Sequence, residues 1–281
     1  MCGLFGWISK STDTLTPETK KSLTFALGKK SETRGTDGWG ILAEWYDKDK
    51  PFYRVSKTIG RFSTFSSTKT ARKDTEKSHV VLGHTRMGTH GATSLKNTHP
   101  FSSSEFVWAH NGVIHNHENY LEDTLLIPEG DTDSECFGAW VSSIKKSPDG
   151  FLEAPQDQAF WVLDIATDKK YIMSTGKTLY YILENGVFCF SSELKITETA
   201  WESVFKKHVK ALALEPKPLT ATAWEITAKT LPCVAFTKQQ DRSSSLLLGS
   251  PIPPYNQDMA KWYDGPEFAH LRTKNYSKWG D

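Results

Sequence analysis

The sequence lacks the cysteine pattern of a disulfide framework or a zinc site. Its four cysteines, Cys2, Cys136, Cys189 and Cys233, are scattered over 281 residues, and no two of them form a Cys-x-x-Cys pair. Small domains held together by disulfides or zinc have closely spaced cysteines, so both classes are excluded. The four thiols instead favour a reduced compartment, and we expect a cytoplasmic protein.

The sequence also lacks long hydrophobic runs and an excess of either charge. No segment approaches the roughly 18–20 apolar residues that span a bilayer, and the first ten residues do not form a secretory signal. The 34 Lys and Arg residues balance 33 Asp and Glu residues, which leaves a net charge of +1. Because general binders of nucleic acid or membrane surfaces carry a basic excess, we expect neither as a partner.

Nucleotide and metal motifs are absent too. No Gly-x-Gly-x-x-Gly follows a predicted strand, and no phosphate-binding loop occurs. Three histidines, His110, His115 and His117, lie within eight residues, which is the only arrangement suggestive of zinc. No cysteine or acid completes a recognised ligand spacing beside them. We therefore predict no metal and no cofactor.

Short apolar segments fill the first two hundred positions. Those rich in β-branched and aromatic residues and bounded by turn residues predict strands. They cover residues 3–8, 39–45, 80–84, 106–110, 160–165 and 187–191. Predicted strands and helices come in clusters rather than in strict alternation. This favours an α+β protein in which helices cover antiparallel sheets.

Two helices have clear signals. Thr16 followed by Pro17 predicts a helix start, because the hydroxyl can cap the helix and proline suits its first turn. Leu23, Ala26 and Leu27 form the apolar face of that helix. The second helix begins near Thr132 and Asp133, and one buried stripe is predicted for it. That stripe consists of Phe137, Trp140, Val141 and Ile144.

The last eighty residues differ in composition from the rest. Residues 237–258 are polar and interrupted by prolines, which predicts a long loop or an extended arm. Several aromatic residues follow among polar ones, without the periodicity of a second domain. We divide the chain into residues 2–200, which form one domain, and a C-terminal extension over residues 201–281.

Cys2 is the first candidate nucleophile. Removal of the initiator Met places its thiol beside a free α-amino group, and the small residues Cys2 and Gly3 suit that removal. An α-amine has a pKa of about 7.7–8.0, which suits a general base at neutral pH. One residue then supplies both nucleophile and base. The alternative is a small hydrophobic residue in the first strand.

Three further motifs carry polar groups that suit a charged ligand. Arg86 can hold a carboxylate and Thr89 can add a hydroxyl donor; the alternative for Arg86 is a surface ion pair. Asn111 and Gly112 can donate to an oxyanion, or they can form an ordinary tight turn. Asp133 can bind an ammonium group, or it can serve as a helix N-cap.

Taken together, the motifs resemble the class II glutamine amidotransferases over roughly residues 2–200. The matching elements occur in the family's order: Cys2-Gly3, Arg34-Gly35 with Asp37 and Gly40, His84-Thr85-Arg86 with Thr89-His90-Gly91, Asn97-Thr98-His99-Pro100, His110-Asn111-Gly112 and Thr132-Asp133-Ser134-Glu135. The later Phe190-Ser191-Ser192-Glu193 is similar to a strand end that carries a small residue and an acid in relatives. Six motifs in order are far more specific than any one alone.

The resemblance implies a fold, an activity and a set of roles. The fold is the four-layer αββα sandwich of the N-terminal-nucleophile hydrolases, with two antiparallel sheets, here followed by the C-terminal extension. Cys2 attacks the side-chain amide of glutamine and forms a thioester. The resemblance implies that Asn111 and Gly112 donate hydrogen bonds to the oxyanion. It also implies that Arg86, Thr89 and His90 bind the α-carboxylate of glutamine and that Asp133 binds its α-ammonium group. Arg34 is expected to support the Cys2 loop.

The destination of the ammonia divides the possible functions. Family members with a synthase domain need two hundred or more further residues, and only about eighty follow the glutaminase region here. The first hypothesis is therefore a glutaminase that supplies ammonia to a separate synthase, with the extension as a docking arm. The second is a stand-alone hydrolase of a larger γ-glutamyl amide. A third is a relic that only binds a partner, which the intact set of site residues disfavours.

The motifs divide between the first two hypotheses. The segments around Asp37, Asn97 and Thr132 resemble short, stand-alone members, including γ-glutamyl hydrolases of thiol metabolism. The segment Thr89-His90-Gly91 instead resembles the glucosamine-6-phosphate synthase type. The sequence therefore predicts a γ-glutamyl amide as the substrate, glutamine in the first case and a larger compound in the second.

Overall fold

Two antiparallel sheets dominate the part of the chain that the structure describes. A computed structural model describes residues 2–48, 50–89, 91–228 and 232–240. The thirteen strands within these ranges are β1 (Gly3–Ser9), β2 (Gly38–Asp47), β3 (Lys50–Ile59), β4 (Val80–Arg86), β5 (Phe101–Ser102), β6 (Phe106–Asn111), β7 (Ala159–Asp164), β8 (Lys169–Ser174), β9 (Leu179–Glu184), β10 (Val187–Ser191), β11 (Leu212–Leu214), β12 (Thr220–Glu225) and β13 (Cys233–Gln239).

The strands divide into a seven-stranded and a six-stranded sheet. The larger sheet has the order β11-β9-β10-β1-β4-β2-β3, and the smaller has the order β13-β12-β8-β7-β6-β5. Five α-helices occur in the same ranges: α1 (Pro17–Ser31), α2 (Lys69–Lys77), α3 (Asn119–Glu122), α4 (Asp133–Trp140) and α5 (Leu194–Phe205). None of the described helices is long and apolar enough to cross a membrane.

Three apolar clusters show that the layers stack as helices, sheet, sheet and helices. One cluster joins residues of both sheets, such as Leu82 and Trp161. A second joins the seven-stranded sheet to α1, α2 and α5. A third joins the six-stranded sheet to α4 and the turns that follow it. The predicted αββα sandwich of antiparallel sheets is therefore confirmed.

Strand β1 illustrates why the central strands are so apolar. Successive side chains of a strand point to opposite faces. Leu4 and Ile8 accordingly join the cluster between the sheets, whereas Phe5 and Trp7 join the cluster beneath the helices. All seven residues of β1 are buried. A strand covered on both faces has apolar residues throughout its length, and this continuous run made β1 predictable.

The six predicted strands and the two predicted helices all occur. Thr16 caps α1 by accepting from the backbone N–H of Thr19, and Leu23 and Leu27 are buried. The predicted stripe of the second helix is wrong at its end, since Ile144 is exposed. The α-helix gives way to a wider π turn over Val141–Lys145, which rotates Ile144 away from the buried face.

Residues beyond position 200 contribute to both sheets. Strand β11 pairs with β9 in the larger sheet, and β12 pairs with β8 in the smaller one. The loop predicted over residues 237–258 is wrong at its start, because residues 237–239 belong to β13. Residues 241–258 of that loop, and residues 241–281 of the extension predicted as a docking arm over residues 201–281, lie outside the described residues.

A buried ion pair joins the two sheets at one end of the sandwich. Lys170 Nζ of β8 lies 2.8 Å from Glu44 Oε1 of β2, and the Nε2 atom of His79 lies 3.0 Å from the same oxygen. Glu44 is 1% exposed. Glu44 pairs with Val80 at the start of β4, whereas Gly38 pairs with Arg86 at its end. The ion pair therefore lies far along the strands from Arg86.

We expect Glu44→Ala to destabilise the protein by about 3–5 kcal/mol, because removal of one partner leaves the ammonium group of Lys170 buried with less compensation. Urea denaturation measures the change. Lys169→Ala is the matched control, since Lys169 pairs with Glu225 at the exposed surface of the same strand. Equal losses in the two variants would contradict the structural role of the buried pair.

Candidate active site

Antiparallel pairing brings the first residues of the chain to the end of β4. Gly3 lies opposite Thr85, and Gly38 lies opposite Arg86. By this register Cys2 lies level with Arg86, the last residue of β4. This edge of the sheet is where the motifs predicted from the sequence converge.

One small cleft at this edge joins most of the predicted site residues. Its lining includes the predicted Cys2, Arg86, Thr89, Gly112 and Asp133, together with Met87, His99, His110, Thr132 and Ser134. The cleft thus combines a thiol, a guanidinium group and a carboxylate. Such an arrangement can hold a zwitterionic ligand against a nucleophile.

The thiol of Cys2 lies against the main chain at the end of β4. The backbone N–H of Met87 donates to Cys2 Sγ at 3.4 Å, and the thiol lies 3.5 Å from the Met87 carbonyl. Burial raises the pKa of the Cys2 thiol, and the Met87 N–H opposes this in part. A thiol with a raised pKa is protonated at neutral pH, so attack by sulfur requires a base.

Arg34 anchors the backbone of Cys2. Its Nε donates to the Cys2 carbonyl at 2.7 Å, and its terminal nitrogen lies 2.5 Å from Oε1 of Glu193. Arg34 follows the end of α1, and Glu193 precedes α5. The guanidinium group thus links Cys2, which precedes β1, to the segment after α1 and to the residue before α5.

Arg86 lies inside the protein rather than at its surface, being 3% exposed. The alternative of a surface ion pair is therefore wrong. Its two terminal nitrogens lie 3.3 Å from the Gly91 carbonyl and 3.5 Å from the Ala92 carbonyl. These contacts hold the guanidinium group beside the cleft. Thr89 also lines the cleft, whereas His90 lies outside the described residues.

Asp133 is buried at the start of α4 but is not its N-cap. The cap is Thr132, whose hydroxyl accepts from the Glu135 N–H. One carboxylate oxygen of Asp133 accepts from the Ile114 N–H at 2.8 Å, and the other accepts from the Ser134 hydroxyl at 3.3 Å. Each oxygen has further lone pairs, so the carboxylate can also accept from a ligand in the cleft.

Asn111 and Gly112 lie at the end of β6, where no hairpin forms, because β6 is followed by α3 rather than by a strand. The tight-turn alternative is therefore wrong. Asn111 is 3% exposed, and its Oδ1 has no hydrogen-bond partner among the described residues. At position 112 a Cβ atom would lie 1.7 Å from Gln158 Oε1. Only glycine fits there, and its backbone reaches the cleft.

Three buried histidines lie at the cleft: His99 and His110 line it, and His84 packs behind them. Burial lowers the pKa of His84 to about 3 and also lowers the pKa values of His99 and His110. His84 and His99 are in ring contact, with centroids 3.9 Å apart. His110 is held between the Ser134 hydroxyl and the Gln158 amide oxygen. The three rings are therefore neutral at pH 7.

The histidines do not assemble into a metal centre in the described part of the chain. No group of three or more His, Cys, Asp or Glu side chains that could hold a metal ion occurs there. His110 is buried, whereas His115, five residues later, is exposed. Although His110 and His115 are close in sequence, their side chains therefore do not point towards one common site.

Several residues that shape the cleft were not given roles from the sequence. Asp37 accepts from the Gly88 N–H at 2.8 Å and so holds the segment that includes Thr89. Gln158 packs against Gly112 and His110. Asp37 lies within a family motif, which could have identified it. Gln158 lies in no motif, and only the packing of β7 beside β6 brings it to the site.

Comparison with known proteins gives a family match and several relatives. A family model described as class II glutamine amidotransferases matches residues 1–198. The chain is 33% identical over 147 residues to the glutamine–fructose-6-phosphate aminotransferase (isomerizing) of Encephalitozoon cuniculi, covering 48% of this chain and 21% of that protein. It is 35% identical over 148 residues to the Saccharomyces cerevisiae enzyme of the same name, covering 48% and 20%. The chain spans about a fifth of the length of these relatives.

Solved structures share the fold. One is glutamine phosphoribosylpyrophosphate amidotransferase from B. subtilis complexed with ADP and GMP, with a TM-score of 0.58 and 18% identity, covering 86% of this chain and 50% of that chain. Another is an allosteric regulatory enzyme of purine biosynthesis, with a TM-score of 0.55 and 19% identity, covering 79% and 46%. At these identities the similarity concerns the fold alone.

The buried histidines predict a loss of stability in acid. A histidine whose folded pKa lies below its unfolded value of about 6.5 binds more protons when unfolded. The free energy of unfolding should therefore fall as the pH drops below about 6.5, by up to about 1.4 kcal/mol per pH unit for each such histidine. For His84 this window extends to about pH 3.

Urea denaturation between pH 7.5 and 5 measures this slope. We expect His84→Gln to flatten it relative to the wild type, whatever its effect on absolute stability. His208→Gln is the control, because the side chain of His208 is largely exposed. An unchanged slope in His84→Gln would show that His84 does not remain neutral in the folded protein.

Proposed function

The chain belongs to the class II glutamine amidotransferases, and from this membership we propose that it hydrolyses the side-chain amide of glutamine through a thioester on Cys2. In this proposal the ammonia passes to a separate synthase. The observation that supports it is the cleft that joins the Cys2 thiol, the Arg86 guanidinium group and the Asp133 carboxylate. These groups complement the amide, the α-carboxylate and the α-ammonium group of one glutamine molecule.

The reaction begins with the thiol of Cys2 after loss of the initiator Met. The free α-amine of Cys2 accepts the thiol proton as Sγ attacks the amide carbon, and the carbonyl electron pair moves to oxygen. The raised pKa of the buried thiol is the reason that a base is needed. The amine then donates that proton to the leaving nitrogen, the C–N bond breaks, and ammonia and a thioester result. Water hydrolyses the thioester to glutamate and restores the thiol.

Charge in the intermediate falls on the former carbonyl oxygen. In the proposed mechanism the Asn111 side-chain amide and the Gly112 backbone N–H donate to this oxyanion. Arg86, with Thr89 and His90, binds the α-carboxylate of glutamine, and Asp133 binds its α-ammonium group. Arg34 keeps the Cys2 backbone in place through the bond to its carbonyl.

The second candidate is a hydrolase of a larger γ-glutamyl amide. Three segments that resemble stand-alone members contact one another around the cleft. At Gly38 a Cβ atom would lie 2.8 Å from the Thr98 hydroxyl, and at Gly40 it would lie 2.1 Å from the His99 carbonyl. Asn97 in turn donates to Asp131 at 2.6 Å, beside the Thr132 motif. The three segments that carry this resemblance therefore lie in contact beside the cleft, and this is the observation behind the second candidate.

We also propose that the protein acts in the cytoplasm. No disulfide joins any of the four cysteines. The proposed nucleophile must remain reduced, which a cytoplasmic setting ensures.

We expect Cys2→Ala to abolish glutamate release from glutamine, because no other group in the cleft replaces the thiolate. Cys233→Ala is the matched control, since Cys233 is exposed. Measurement of the intact mass should show loss of the initiator Met in all three proteins. Glutamate release that survives in Cys2→Ala would rule out the proposed mechanism.

Kinetics on two substrates separate the candidates. A glutaminase that serves a synthase should hydrolyse glutamine faster when that synthase and its acceptor are added. A stand-alone hydrolase should have a much higher kcat/KM for a larger γ-glutamyl amide than for glutamine, and a co-purifying synthase should not change it. Comparable rates on both compounds, with no effect of a synthase, would contradict both assignments.

A further inference from the structure

Asn97 has a fully buried side-chain amide that joins two loops beside the cleft. The first loop contains Gly91 and Ala92, and the second contains Gly130 and Asp131. Asn97 is 0% exposed. Its Nδ2 donates to the Ala92 carbonyl at 2.9 Å and to Asp131 Oδ1 at 2.6 Å. Its Oδ1 accepts from the Asp131 N–H at 3.1 Å. Both the amide nitrogen and the amide oxygen of Asn97 are thus hydrogen-bonded. They link Ala92, five residues away, to Asp131, which is 34 residues away.

The first of these loops holds Arg86. The Ala92 carbonyl lies 3.5 Å from a terminal nitrogen of Arg86, and the Gly91 carbonyl lies 3.3 Å from the other. Because the same Ala92 carbonyl accepts from Asn97, this backbone segment is fixed from two sides. Asn97 is therefore connected to the guanidinium group of Arg86 through the carbonyl of Ala92.

The second loop leads directly into Asp133. Glu135 accepts from the N–H groups of Glu129 and Gly130, both at 2.9 Å, which ties the loop to the first turn of α4. Asn97 holds the next residue, Asp131, through both its side chain and its backbone. These bonds restrain the loop and couple its position to that of the first turn of α4.

Two glycines pack directly on the Asn97 amide. At Gly91, which has a φ of 71°, a Cβ atom would lie 2.7 Å from Asn97 Nδ2. At Gly130 it would lie 2.2 Å from Asn97 Oδ1. The two loops thus approach Asn97 as closely as backbone allows, and a larger residue at either position would separate them.

We propose that Asn97 is a positioning residue that sets the separation between Arg86 and Asp133. It thereby determines the preference for ligands that carry both an α-carboxylate and an α-ammonium group. This inference rests on the proposed function, in which Arg86 and Asp133 bind those two groups. Asn97 itself does not line the cleft, so it acts through the loops and not by contact with the ligand.

Asparagine suits this position because its amide both donates and accepts. In Asn97→Asp a carboxylate oxygen would face the Ala92 carbonyl and the Asp131 carboxylate, and both contacts would become repulsive. Loss of one hydrogen bond to a charged group corresponds to about a tenfold to hundredfold change in an equilibrium. The spacing of the two charged ligand-binding groups should relax accordingly.

The test compares glutamine with glutaramate, its analogue without the α-amino group. The wild type should prefer glutamine, since only glutamine can pair with Asp133. In Asn97→Asp we expect this selectivity, measured as the ratio of the two kcat/KM values, to fall about tenfold or more. Most of the change should come from a higher KM for glutamine, with a smaller change in kcat.

Two variants of the exposed residue Asp131 serve if Asn97→Asp does not fold. Asp131→Asn and Asp131→Ala both remove the charge, but only Asp131→Asn retains a side-chain oxygen that accepts from Asn97. We expect Asp131→Asn to keep the selectivity of the wild type and Asp131→Ala to lower it severalfold. Comparison of the two variants therefore distinguishes the effect of losing the hydrogen bond to Asn97 from the effect of losing a negative charge near Asp133.

The outcomes distinguish this inference from the proposed function. If the wild type hydrolyses glutamine but Asn97→Asp and Asp131→Ala lose activity equally on both compounds, the positioning role is wrong. If Asp131→Asn lowers selectivity as much as Asp131→Ala, the effect is one of charge and the inference is again wrong. If the wild type hydrolyses neither compound, the proposed function fails before the role of Asn97 is tested.

Discussion

The pairing of β1 with β4 is the interaction on which the candidate site depends. Strand β1 lies near the middle of the seven-stranded sheet, with β10 on one side and β4 on the other. Its two buried faces fix the register, because a shift by one residue would move every side chain to the opposite face. That register places Cys2 level with the last residue of β4, where its thiol contacts the backbone of Met87. Two apolar cores thus determine the position of one thiol.

The same burial sets the electrostatics around the thiol. Desolvation raises the pKa of Cys2 and lowers the pKa values of the histidines behind it. The neighbouring imidazoles are therefore neutral and poorly basic, although histidine is the usual general base in enzymes. In the proposed mechanism the α-amine of Cys2 acts as the general base instead. Because the histidines are neutral, other side chains must hold the reacting and ligand-binding groups in place. Arg34 holds the backbone of Cys2, and in our proposal Asn97 positions the loops beside Arg86 and Asp133.

The sequence predicted six of the thirteen described strands. The missed elements include β8 and β9, which are largely buried, as well as elements at the periphery. The β1 and β7 segments are buried on both faces, so they appear as continuous apolar runs. Strand β3 forms an edge of its sheet, and its many exposed polar residues gave no strand signal. Helix α2 was missed because only Ala71, Asp74 and Thr75 of its nine residues are buried. Elements that bury little have little pattern in their sequences.

By itself, the sequence determined the types of residue at the site, the order of the motifs and the layered α+β fold. The residue types and motif order are local features, the α+β class follows from the clustering of predicted strands and helices, and the layered arrangement was implied by the family resemblance. Only the tertiary structure decided how the motifs meet. Asn97 and Asp131 are 34 residues apart, and Arg34 and Glu193 are 159 residues apart. Contacts over such separations arise from sheet pairing and packing, so no local pattern of residues predicts them.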